Sequence, residues 1–276
     1  MSFQSACRGF FIKPAGYQES EASEKIAGDY FKMRRRLSFV LPCYDVEKTV
    51  GQVINDIVAT VAGKDDYEII CLDDGSPDNL LTVLAELAQR NDRIKVISLA
   101  ENIGQHRAIA CGMRYVSGDI VVNLDSDGQT DPKQCYTLID ALTDEVDIVF
   151  AKYIKKQESF IRVLGSRLNN IVYLLTHNTG NYFELNSYFA CRRRVADEIG
   201  NYNALYEAVS SRSFIKGKRI KNAVVKHFPR SQGESSYNLL KLMRLFCRVF
   251  TASFKAAPSI REEYNIKETI NISKEK

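Results

Sequence analysis

From Leu37 onward the chain repeats one pattern: a short apolar run, a polar loop, then apolar residues at helical spacing. Short continuous apolar runs fit strands buried on both faces, as in a parallel sheet covered by helices. Leu37 to Leu41 is therefore expected to be a strand that stops at Pro42, followed by a helix over Val50 to Val61. Glu68 to Leu72 is a second strand and Asn79 to Gln89 a second helix. Lys95 to Leu99 and Gln105 to Val116 repeat the unit, and Ile120 to Leu124 is a fourth strand. Asp147 to Ala151 reads as a fifth, after which the alternation fades. Residues 1 to 36 show no steady period and end in Met33-Arg34-Arg35-Arg36, so they read as an appendage, with Met33 a candidate native start.

The pattern predicts an α/β fold, a mostly parallel sheet flanked by helices. In such a sheet, ligands gather where loops leave the C-terminal ends of the strands. Those loops here are polar and acidic. Asp125-Ser126-Asp127 follows the fourth strand, and two carboxylates one residue apart can hold one hard cation, Mg²⁺ or Mn²⁺, while leaving positions open for a diphosphate. An acidic surface turn would have the same composition. Position after a buried strand favours the metal.

Asp73-Asp74-Gly75-Ser76 follows the second strand, with Gly75 free to take positive φ and Ser76 placed to cap the next helix. Beyond making a turn, a carboxylate here suits the imide N–H of uracil or thymine, which the sequence does not tell apart. Pro42-Cys43-Tyr44-Asp45 and Glu47 would set Tyr44 against a base and a carboxylate near the ribose. Asn102-Ile103-Gly104-Gln105-His106-Arg107 opens the third helix, where Arg107 suits a forked contact to the diphosphate and His106 reads more simply as a structural residue. Ala108, Cys111 and Gly112 would let that helix lie close to the sheet.

Charge changes the picture only in the C-terminal part. Residues 212 to 262 hold twelve Lys and Arg against two Glu, a local +10 in a chain of +4. Such asymmetry points to an acidic partner unless it is a solvated face. Within it, Lys241, Arg244, Arg248 and Lys255 fall on one side of a helix candidate over 239 to 255 whose remainder is apolar, a form suited to a bilayer interface. The seven cysteines are scattered without C-x-x-C spacing, which fits reduced thiols of a cytoplasmic protein. With neither a signal-like start nor a run of roughly 18 apolar residues, neither export nor a membrane span is expected.

Taken together, Pro42-Cys43-Tyr44-Asp45, Asp73-Asp74-Gly75-Ser76-Pro77-Asp78, Asn102-Ile103-Gly104 and Asp125-Ser126-Asp127-Gly128-Gln129 resemble, in order and rough spacing, the family 2 glycosyltransferases of GT-A fold. Arg230-Ser231-Gln232-Gly233-Glu234-Ser235-Ser236-Tyr237 is similar to the R-x-x-G-x-S-x-Y segment of the dolichyl- and undecaprenyl-phosphate sugar transferase branch. The resemblance covers about residues 37 to 250. It implies a nucleotide diphosphate-sugar donor, a metal on Asp125 and Asp127, base recognition near Asp74, and inversion at the anomeric carbon. Pro42, Tyr44, Glu47, Asp73, Asp74, Asn102, Arg107, Asp125 and Ser126 are then the nucleotide-binding candidates, with Arg230 closing over the diphosphate.

One departure bears on the acceptor. Where many members of that branch carry G-x-F-R-L, this chain has Gly180-Asn181-Tyr182-Phe183-Glu184-Leu185, with Glu184 in the arginine's place. An ionised Glu184 would repel a phosphate, whereas a hydroxyl acceptor needs a base, for which Glu184 and Glu207 are the candidates. The acceptor stays open between a polyprenyl phosphate and a lipid-linked saccharide, and the place of action is the cytoplasm or the inner face of its membrane. A sugar-1-phosphate nucleotidyltransferase would need a glycine-rich loop after the first strand, which is missing. A nucleic-acid module leaves the acidic loops unexplained, so no nucleic-acid partner is expected; a catalytically degenerate scaffold is the remaining rival. The expected domains are an appendage at 1–36, a catalytic domain at 37–235, and a basic amphipathic helix with tail at 236–276.

Overall fold

In the computed structural model of the protein, each early apolar run forms a strand and each amphipathic segment a helix. Residues 35–153, 184–202, 205, 218–226 and 263–272 are described. The order is β1 (Arg36–Cys43), α1 (Val50–Val61), β2 (Asp66–Asp73), α2 (Leu80–Arg90), β3 (Ile94–Leu99), α3 (Gln105–Gly112) and β4 (Ile120–Asn123). Then follow α4 (Cys135–Ala141), β5 (Ile148–Tyr153), β6 (Phe189–Arg192), α5 (Arg193–Gly200), β7 (Ile220–Val225) and β8 (Ile266–Ile270). Glu207, Arg230 with the loop to Tyr237, the 239–255 helix candidate and the N-terminal appendage lie outside the described residues.

The strands form one sheet in the order β7-β5-β6-β4-β1-β2-β3-β8. Strands β3, β2, β1 and β4 are mutually parallel, as the apolar runs predict. The sheet as a whole is mixed, because β6 lies antiparallel between β4 and β5, and β8 lies antiparallel on the far edge beside β3. The tail residues 266–270 thus belong to the same sheet. Pro42 does not end β1: it pairs in register with Leu72, and its carbonyl accepts the Ser126 hydroxyl.

Apolar side chains leave both faces of the sheet. One layer packs α1, α2 and α4 on Phe39, Leu41, Ile69, Cys71 and Val122. The other packs α3 and α5 on Val40, Ile70, Leu72, Val121 and Phe150. Helix α3 lies so close that a Cβ at Gly112 would stand 2.8 Å from Val40 Cγ1. This sets the C-terminal end of α3 close against β1. Between β1 and β4 the strand order reverses, the place in an open α/β sheet where ligands bind at the C-terminal strand ends.

Cys43, Cys71, Cys111, Cys135 and Cys191 are buried free thiols, and burial pushes those of Cys43, Cys111 and Cys135 up to about 12. They are packing groups rather than nucleophiles. Among the described residues, no helix is long and apolar enough to cross a membrane.

Candidate active site

Four loops converge at the C-terminal edge of the parallel strands, and their carboxylates divide into two kinds. The first kind builds the loops. Asp73 accepts the Ser76 backbone N–H at 2.9 Å and the Ser98 hydroxyl at 2.8 Å. Asp74, only 2% exposed, accepts the N–H groups of Ile103 at 2.7 Å and Gly104 at 2.9 Å, one on each oxygen. It therefore holds the turn that starts α3, next to Asn102, which is exposed. Gly75 sits at φ +62°, and a Cβ there would meet the Glu101 carbonyl carbon at 2.5 Å, so the loops after β2 and β3 touch through this glycine.

Glu47 has the same building role. Its carboxylate accepts the Asn79 N–H at 2.9 Å, while its own N–H donates to Asp78 at 3.0 Å. The expected cap from Ser76 is not formed: α2 starts after Asn79, and the Ser76 hydroxyl accepts the Asp45 N–H at 3.2 Å instead. The loop after β1 thus does for α2 what a local cap would do. Ser126, also buried, donates its hydroxyl to the Pro42 carbonyl at 2.7 Å and accepts from the Thr49 hydroxyl through its own carbonyl at 3.0 Å. These bonds tie the loop after β4 to the loop after β1 across the point where the strand order reverses.

The second kind faces outward. Asp125 and Asp127, on either side of Ser126, are both partly exposed. Asp125 accepts from Gln105 Nε2 at 2.6 Å on one oxygen and from the Ser187 hydroxyl at 2.8 Å on the other. Asp127 accepts the Gln129 N–H at 3.0 Å and the Gln129 amide at 2.8 Å. Burial pushes the Tyr153 hydroxyl up to about 12 against a hydrogen bond with Thr130, and both aspartates add to the rise, which puts Tyr153 in reach of both charges. Tyr44, 47% exposed, stands free of the core at the same edge.

Among the described residues, no three His, Cys, Asp or Glu side chains form a ready-made cage for a metal. Two carboxylates of hard oxygen donors, partly open to solvent, nevertheless suit a divalent cation that takes its remaining ligands from water and phosphate. The residues present fit Mg²⁺ or Mn²⁺ at Asp125 and Asp127.

Glu184 reaches this edge from the segment before β6. Its main chain is fixed by Asn222 of β7, which accepts the Glu184 N–H at 2.8 Å and donates to its carbonyl at 2.8 Å. Its carboxylate lies 3.4 Å from the Lys152 ammonium at the end of β5. Arg107, in the first turn of α3, contributes favourably to the charge on Asp74.

The family model described as Glycosyl transferase family 2 matches residues 38–200, more than half of the chain. The chain belongs to glycosyl transferase family 2. Curated relatives of this transferase include the undecaprenyl-phosphate 4-deoxy-4-formamido-L-arabinose transferase of Edwardsiella ictaluri (strain 93-146). It is 32% identical over 230 residues, covering 80% of this chain and 69% of that protein. The enzyme of the same name from Proteus mirabilis (strain HI4320) is 29% identical, covering 80% and 68%. Among solved structures, glucosyl-3-phosphoglycerate synthase from Mycobacterium tuberculosis in complex with phosphoglyceric acid superposes with a TM-score of 0.60 at 20% identity, covering 87% of this chain and 84% of that one. The same synthase in complex with Mn²⁺, uridine-diphosphate and phosphoglyceric acid gives 0.57 at 20%, covering 86% and 82%. The transferase therefore shares their GT-A fold.

Gln105, Gln129, Lys152, Tyr153 and Ser187 also stand at this edge and were not among the candidates that the sequence offered. Gln129 stood inside the motif that carried the family resemblance. Gln105 stood inside the segment that opens α3, and the other three had no local signal.

Proposed function

We propose that this transferase moves a sugar from a nucleoside diphosphate, UDP- or dTDP-linked by preference, onto a polyprenyl phosphate, with inversion at the anomeric carbon, in cell-surface glycan assembly. The observation that carries this reading is the placement of Asp125 and Asp127 at the end of β4, partly exposed, beside the strand-order reversal. Mg²⁺ or Mn²⁺ bound by these two carboxylates would neutralise charge on the leaving diphosphate. Tyr44 offers its ring for base stacking, Asp74 holds the turn that presents Asn102 and the start of α3, and Arg107 lies ready for the diphosphate. Arg230 is assigned a second positive charge over it.

Attack by the acceptor oxygen on the anomeric carbon, opposite the diphosphate, forms one C–O bond as the other breaks, and so inverts the centre. An acceptor phosphate is already deprotonated and needs no base. The acceptor is supported by the names of the curated relatives and by Lys152, which offsets the charge of Glu184 in a pair 48% and 26% exposed. With Lys152 there, the carboxylate in the arginine's place is no bar to a phosphate. The second reading, a hydroxyl of a lipid-linked saccharide with Glu184 or Glu207 as base, rests on Glu184 lying at the same edge. Residues 239–255 are assigned the contact with the membrane that holds the acceptor.

Thermal melting with UDP, dTDP, GDP and CDP, each with Mn²⁺ or EDTA, tests the donor half of the proposal. A diphosphate at a hundred times its Kd stabilises by about 2.7 kcal/mol, a shift on the order of 5–10 °C for a chain of this size. UDP or dTDP with Mn²⁺ is expected to give that shift, and EDTA to remove it. Equal melting under all conditions would move the assignment to a scaffold.

A further inference from the structure

Asp125 accepts hydrogen bonds from two elements that lie far from it along the chain. Asp127 accepts from its near neighbour Gln129, Asp73 from its own loop and from Ser98 of β3, and Asp74 from the loop after β3. The two oxygens of Asp125 are instead taken by side chains from two separate elements, Gln105 at the first position of α3 and Ser187 ahead of β6. We propose that Gln105 and Ser187 are positioning residues that set the Asp125 carboxylate for the divalent cation, an inference that rests on the metal-dependent reading above.

The geometry supports a purpose-built hold. Ser187 is itself anchored: its carbonyl accepts from Asn123 Nδ2 at 2.6 Å, and β6 pairs with β4 so that Phe189 opposes Asn123. The next carbonyl, of Tyr188, accepts the Ala151 N–H at 2.9 Å, joining the segment to β5 as well. The Ser187 hydroxyl is thereby presented by a strand start pinned on both sides. Gln105 is presented by the turn that Asp74 clamps through Ile103 and Gly104. A carboxylate offers about four lone-pair sites, so two donors such as these orient it without by themselves preventing ligation. Outer hydrogen bonds of this type hold a ligand's orientation, and their loss typically weakens metal binding by about 10- to 100-fold.

A consequence concerns the acceptor side. The segment that carries Ser187 also carries Glu184, three residues earlier, paired with Lys152. One short stretch therefore joins the metal ligand to the charged pair assigned to the acceptor, so its placement affects both.

Mn²⁺ binding to the full chain, measured by electron paramagnetic resonance of the free ion with no nucleotide or acceptor, tests the proposal apart from catalysis. The series is the wild type, Asp127→Ala, Ser187→Ala, Ser187→Thr, Gln105→Ala and the double variant Ser187→Ala with Gln105→Ala, each with its melting temperature. Expected are Kd values raised about ten-fold in Ser187→Ala and in Gln105→Ala, further in the double variant, and near wild type in Ser187→Thr, which keeps the hydroxyl. Unchanged or tighter binding in both single variants, with measurable binding in the wild type, would overturn the positioning role alone. No binding by the wild type would overturn the metal reading and this inference with it. Gln105 is exposed, so if Ser187→Ala does not fold, Gln105→Ala carries the test alone, and unchanged binding in it then overturns the proposal.

Discussion

Asp127→Ala is expected to lower kcat/KM for sugar transfer by about a thousand-fold or more while leaving the protein folded. On the proposed reading the leaving diphosphate carries its charge next to the loop after β4, and losing one of two carboxylates there would remove the means of neutralising it. A cation's stabilisation of such charge amounts to several kcal/mol, and about 4 kcal/mol corresponds to roughly a thousand-fold. Stability should change little, on the order of 0.5 kcal/mol, because Asp127 is partly exposed and its hydrogen bonds to Gln129 are local. Steady-state kinetics at saturating Mn²⁺ beside a melting curve check both halves. Activity within ten-fold of wild type would remove Asp127 from the site.

Asp74→Ala should behave in the opposite way, with its main effect on the fold. Truncation leaves the Ile103 and Gly104 N–H groups without their acceptor in a part-buried turn, at a cost of about 3 kcal/mol or more. Urea unfolding reads this directly, and activity would fall only as far as the turn before α3 loosens. Titration gives a second readout. Burial pushes the Asp74 carboxyl above its ordinary 3.8, against the pull of the two N–H groups and Arg107 and with a push from Asp73. A carboxyl raised in the folded state contributes stability that is fully present below pH 3.8 and is lost as pH rises through the folded value. The stability difference between wild type and Asp74→Asn should therefore move in favour of wild type as pH falls from neutrality toward 3.8. A difference that is flat with pH would show Asp74 equally ready to ionise in both states.

These two aspartates show what the sequence made legible and what it hid. Both stood in acidic turns after buried strands, and both read as ligand-facing. Strand position is legible because parallel strands buried on both faces must be apolar runs, so β1 to β4 and the loops at their ends could be placed. Which way a carboxylate turns is decided by donors that arrive from elsewhere. Asp74 is claimed by N–H groups of the loop after β3, and Glu47 by the N-terminus of α2, neither of which is a local feature. Asp125 and Asp127, assigned to the metal, stay partly exposed because Ser126, between them, takes the inward position.

The second half of the sheet was hidden for a related reason. Strand β6 has only four residues and runs antiparallel between β4 and β5, a place that its own pattern does not announce. Strand β8 is largely exposed and joins the edge beside β3 from far along the chain. Ser187 follows from β6: it lies 62 residues from Asp125, and only the antiparallel register brings them together. The Lys152–Glu184 pair was equally out of reach, although it changes what Glu184 means for a phosphate acceptor.

The central claim is transfer to a polyprenyl phosphate, and the most direct test is an acceptor comparison with radiolabelled donor. Donors of the nucleoside diphosphate that stabilises the protein would be incubated with Mn²⁺ and either undecaprenyl phosphate in detergent or a lipid-linked saccharide, followed by organic extraction and mass determination of the product. The account predicts Mn²⁺-dependent label on undecaprenyl phosphate, with the mass of a sugar phosphodiester and inverted anomeric configuration. Label carried only by the saccharide would contradict it and make a hydroxyl the acceptor.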